Sequence, residues 1–156
     1  MAETRTEPSA DGRSRALPLW GGVFIATWLV HTGDHIRRTT ASTSDGVIWA
    51  GTFAAVAAAV ALTLIFTGHP LAPFAAASVF TSIAVGVTAT HLAPSWGYFS
   101  EPLLFDSATD RWALVAAMPE ILVAAWLGWL GFRIVRAQNF QLVERRPHRA
   151  AGPKGR

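Results

Sequence analysis

Residues 47–66 read VIWAGTFAAVAAAVALTLIF, a run without one charged side chain. A helix needs about 20 apolar residues to cross a ~30 Å hydrocarbon layer, and this run supplies them. Three more apolar runs of similar length lie outward of it, at 17–36, 71–92 and 111–135, the last with a helix start near 108. Backbone polar groups in lipid are satisfied only within helices or closed barrels, so the pattern predicts an all-α integral membrane protein. Its connections are short, which predicts a four-helix, up-down-up-down bundle over 17–136.

The composition agrees. Of 156 residues, 51% are hydrophobic and 15% charged, and the charges gather at the chain ends and between the apolar runs. The formal charge of +3 therefore reflects membrane topology, and no nucleic-acid partner is expected. With no cysteine, the chain has no disulfide, thiolate nucleophile, iron–sulfur cluster or Cys-based zinc site. Residues 1–16 and 137–156 are polar and punctuated by Gly and Pro, and they read as disordered tails. The first apolar run follows Arg13 and Arg15, as a signal peptide would. It continues into HTGDHIRR instead of a small-residue cleavage site, so it reads as a retained membrane helix.

Cytoplasmic flanks carry an excess of Lys and Arg. With the N-terminus inside, the outer side holds only Arg37, Arg38 and Arg111, and all other Lys and Arg lie inside. The expectation is a multi-pass protein of the cell inner (plasma) membrane, bacterial in type, with both termini cytoplasmic. Trp49, Trp96 and Trp112 would form an outer aromatic belt, and Trp20 and Trp129 an inner one. Arg145, Arg146, Arg149, Lys154 and Arg156 should draw the C-terminal tail to anionic lipid headgroups.

The connections have distinct characters. TGHP at 67–70 reads as a tight inner turn, and the Ser/Thr-rich 39–46 as a small outer loop. The longer outer connection at 93–110 carries Trp96, Tyr98, Phe99 and Leu103, which could form a lid. It ends in Ser107-x-x-Asp110, a capping-box-like start for the last helix. In the second run, Gly51, Ala55 and Ala59 form a small-residue ladder expected to pack against a neighbouring helix.

Polar residues inside these helices carry the functional reading. The apolar part of the first run, 16–30, spans only about 22 Å, so the polar turn at 31–36 must complete the crossing. At about 100° per residue, Thr27, His31, Asp34, His35 and Arg38 share one stripe, which should face protein or water. Imidazoles at i and i+4 can bind one metal ion, and a neighbouring carboxylate can ligate or fix a ring tautomer. The topology brings His91, at the outer end of the third helix, to the same side. His69 and His148 fall elsewhere, in the inner turn and the tail.

Glu120 is the one acid deep inside an apolar run. Ala113, Ala116, Ala117 and Ala124 share its helical face, and Pro119 precedes it. Such a carboxylate is costly unless paired or protonated, so it should point into the bundle, beneath the histidines as a base or proton acceptor.

Three functions follow. The first is a metal site of His31, His35 and His91 with Glu120 or Asp34 as acidic catalytic partner. Its nitrogen and oxygen donors suit Zn, Fe or Cu and hydrolytic or redox chemistry. The second is a non-enzymatic accessory or scaffolding protein, in which these residues form an interhelical network beside a lipid or quinone pocket. Its partner would be another membrane protein or a second copy of the chain. The third is a single-haem b-type cytochrome, with His91 and either His31 or His35 as axial ligands. None of the three specifies a substrate.

Overall fold

The computed structural model describes residues 10–38, 43–104 and 111–144, with side chains over 15–38, 43–104 and 111–140. The first nine residues, residues 39–42 of the 39–46 loop, residues 105–110 with the Ser107-x-x-Asp110 start, and the tail from 145 lie outside them. Among the described residues there are four helices and no strand. We label them α1 (Ala10–Arg37), α2 (Asp45–Phe66), α3 (Ala72–His91) and α4 (Arg111–Glu144).

Three helices, α2, α3 and α4 up to Phe140, are long and apolar enough to cross a membrane. α1 is not among them, since its apolar stretch is interrupted by His31, Asp34, His35 and Arg37. Two boundaries differ from the sequence expectation. α1 begins at Ala10, not near Leu17, and α4 continues past 136 to Glu144. The C-terminal extension is rich in helix-favouring residues and meets no proline before Pro147, whereas the N-terminal one combines Ala10, Arg13, Arg15 and Ala16 with the poor helix formers Asp11, Gly12 and Ser14.

The helix ends follow from local chemistry. Ser44 caps α2, its hydroxyl accepting from the Val47 N–H at 3.3 Å. At the other end Gly68 adopts a φ of 65°, a left-handed conformation that stops the helix. The Gly68 and His69 N–H groups then donate to the carbonyls of Ile65 and Leu64. The imidazole Nδ1 of His69 accepts from the Leu71 N–H at 3.2 Å, so this histidine serves the turn.

α3 is an α-helix with a single π turn at Ala76–Phe80. Its buried residues include Ala72, Ala76, Phe80 and Ala84, every fourth position. In a regular α-helix such a series drifts around the axis, and the wider π turn cancels the drift. His91 lies two turns beyond Ala84 and so emerges on the same inward face.

Many large apolar side chains face outward while about half of the buried apolar residues are alanine. The interior is built largely of small residues, including Ala58, Ala61, Ala76, Ala113, Ala116, Ala117 and Ala124. Among the larger buried side chains are Leu127 and Phe24 and Phe80, whose ring centroids are 4.8 Å apart and edge-on. Leu19, Phe53, Val56, Leu122 and Phe132 are exposed. α4 sits against both α1 and α3. Its approach to α3 is backbone to backbone: a Cβ added at Gly131 would meet Ala77 N and Pro73 O, and one at Gly128 would meet Thr81.

The expected ladder of Gly51, Ala55 and Ala59 does not pack. α2 instead buries Val47, Ala58, Ala61 and Ile65, and no atom lies within 4 Å of a Cβ built on Gly51. The cause is the path of α2. It packs against the 72–80 part of α3 but scarcely touches 81–91, leaving the Gly51 side of the helix over open space.

Candidate metal centre

The end of α1 carries His31 and His35 one turn apart, and their ring centroids are 4.8 Å from each other. His91, on the last turn of α3, sits 5.0 Å from the His31 ring and 5.5 Å from the His35 ring. One nitrogen from each of the three lies within 4.8 Å of the others. Ligands at ~2.1 Å from one tetrahedral ion are about 3.4 Å apart, so the widest pair must close by movement of the rings to share an ion. His31 and His91 are buried and His35 is half-buried. The three residues can hold a metal ion.

The neighbours of these rings fix which nitrogens are free. His31 Nδ1 lies 2.5 Å from Glu120 Oε2, and both side chains are buried. Where Glu120 accepts from a neutral His31, that ring donates from Nδ1 and keeps its lone pair on Nε2. That Nε2 is buried and has no hydrogen-bond partner. His91 Nδ1 lies 3.2 Å from the Glu101 backbone carbonyl, which only accepts, so His91 presents Nε2 in the same way. A ligating histidine typically has its other N–H held by a carboxylate or a carbonyl, and both arrangements occur here.

Asp34 takes a different place from Glu120. Arg37 donates to its Oδ1 at 2.8 and 3.1 Å, and Arg38 donates to its Oδ2 at 2.8 Å. Both oxygens are thus occupied by guanidinium groups, and Asp34 lies outside the three-nitrogen cluster. Arg38 reaches on to Glu101 Oε1 at 2.5 Å and to within 3.5 Å of His35 Nδ1.

Glu101 is the residue that sequence reading did not single out. Its Oε2 is buried without a hydrogen bond, 3.8 Å from His35 Nδ1. It arrives there because the 93–104 segment folds back over the end of α3 and satisfies the open carbonyls of that helix. Trp96 Nε1 donates to Ala89 O at 2.8 Å, Glu101 N to Thr90 O at 2.9 Å and Leu103 N to His91 O at 2.8 Å. Leu103 is buried with Ala113 and Ala117, whereas Trp96, Tyr98 and Phe99 are exposed. The available signal was that Glu101 is the one acid between Trp96 and Leu104 in an otherwise apolar connection.

A cavity of about 750 Å³ opens from the cluster between α1, α2 and α3, with Glu120 also in its wall. Comparison with known protein families, characterised proteins and solved structures finds no match.

Proposed function

We propose that this chain is a metal-dependent integral membrane protein with one Zn, Fe or Cu ion bound by His31, His35 and His91. The observation that carries this reading is His31 Nε2, buried and unpartnered beside two other imidazoles while Glu120 holds Nδ1. Leaving a buried nitrogen unsatisfied costs about 1–3 kcal/mol, and a metal ion removes that cost. Three protein ligands leave coordination open, and a metal there supplies Lewis-acid or redox activation of water, dioxygen or a polar substrate group. Glu120, through its bond to His31, orients that ring and is a candidate acceptor for a proton released at the site. Glu101 and Arg38 act from the His35 side, where their charges balance.

In the same reading the four helices run up-down-up-down through the plasma membrane with both termini cytoplasmic and the histidines near the outer face. Large apolar side chains on the outside and alanine and glycine inside support it. Haem fits less well. Two axial imidazoles must face each other across a flat macrocycle, whereas these three rings pack directly against one another.

A second reading, an accessory protein in which these residues only fasten helices, is favoured by the ion-pair chain Asp34–Arg38–Glu101. Metal analysis and a visible spectrum of the detergent-purified protein separate the two. About one equivalent of transition metal is expected, a Soret band would replace the reading with haem, and absence of both would leave the accessory role.

A further inference from the structure

The cavity beside the histidines has a shape that the metal site alone does not require. Its wall on α2 covers residues 47 to 57, about 15 Å at ~1.5 Å rise per residue. That is half of a ~30 Å hydrocarbon layer, the depth of one lipid tail. Half of the wall is aliphatic or glycine, with Val47, Ala54, Val79 and Ile83 typical, its other uncharged residues are Trp28, Phe53 and six Ser or Thr, and its ionisable groups gather at the end with His31, His35, His91 and Glu120. The cleft exists because α2 leaves α3 beyond residue 80. Its rim, with Phe53, Ser82 and Gly86, is exposed on the flank of the helices, so its mouth is lateral.

We propose that this cavity holds a single lipid acyl chain, entering sideways from the bilayer, with the polar end of the lipid at His31, His35 and His91. The proposal rests on the membrane reading above and gives the metal site its substrate class: an acyl lipid held with its polar end at the histidines. Length, polarity and access all select this occupant. A water-borne polar ligand would have to enter through a mouth on the flank of the helices, which in the membrane reading opens into hydrocarbon.

The test uses the full-length protein in phosphatidylglycerol vesicles doped with lipid carrying a diazirine on one acyl chain. In one preparation the label is near the carboxyl end, in the other near the terminal methyl. After irradiation, the carboxyl-end label should mark the neighbourhood of Val47 and Thr90, and the methyl-end label that of Ala57 and Ser78. Both should exceed labelling at exposed Leu122. Gly86→Leu and Gly51→Leu each place a side chain where a Cβ meets nothing within 4 Å, and neither position is a metal ligand. Each should reduce cavity labelling to the Leu122 level while leaving Leu122 labelling and metal content unchanged.

Labelling of the wild type that is even over cavity and outer surface, or that has the two ends reversed, overturns the proposal. Selective labelling in a protein that purifies without metal leaves the lipid site standing and overturns the metal reading instead. Metal without selective labelling does the opposite.

Discussion

Glu120 and His31 are buried partners, so changing them singly and together should differ in size. Glu120→Leu leaves His31 Nδ1 buried without an acceptor, and a loss of about 1–3 kcal/mol is expected in unfolding of the solubilised protein. Adding His31→Leu removes both polar groups and should recover most of that loss, since paired apolar replacement is nearly neutral. If the double change is as unstable as the single one, the pair is not what makes Glu120 tolerable. Glu120→Gln keeps an acceptor but not the charge. It should preserve the fold and weaken metal binding by about 10–100-fold, as read by chelator competition. Alanine at 31, 35 or 91 should remove most of the metal, and alanine at 69 should not, because His69 serves the turn after α2. The helical spacing of His31 and His35 was legible directly. Asp34 was read as a possible acidic partner of the metal, whereas Arg37 and Arg38 at i+3 and i+4 hold both of its oxygens. Glu101 was not legible, because a loop side chain is placed by hydrogen bonds to another element, here the carbonyls of Thr90 and His91.

Helix contacts make a contrasting pair of glycine predictions. Gly131→Ala drives a methyl group into Ala77 N and Pro73 O, backbone atoms that cannot rotate away, and should destabilise by about 1–3 kcal/mol. Gly86→Ala meets nothing, so thermal unfolding should show no loss and at most about 1 kcal/mol of gain from helix propensity. Equal melting temperatures for the two variants would contradict the close approach of α3 and α4. Small residues on the Glu120 face of α4 announced that this helix would be approached closely. The same reasoning misled at Gly51, Ala55 and Ala59, because a stripe of small residues permits contact without selecting the partner. The π turn in α3 was not legible at all: AASVF has nothing in its composition that separates it from an α-helical turn.

For the molecule as a whole, the arginine distribution makes orientation testable. A fluorescent protein fused after Arg156 should fluoresce, and a phosphatase fused there should stay inactive in cells; the reverse would overturn the cytoplasmic termini. Removing the residues after Glu144 should also abolish salt-sensitive attraction to anionic vesicles if the basic tail acts as proposed. By itself the sequence determined the helical class and the candidate ligands, because run length, the cost of bare backbone in lipid and the i, i+4 spacing are local quantities. Only the tertiary structure decided that His91 meets His31 and His35, that Glu120 reaches them and that a cavity opens beside them. Those outcomes depend on a π turn that rotates the end of α3, on glycines that let α4 touch it and on the divergence of α2. They are relations between helices, and hydrophobic patterning within one helix carries no record of them.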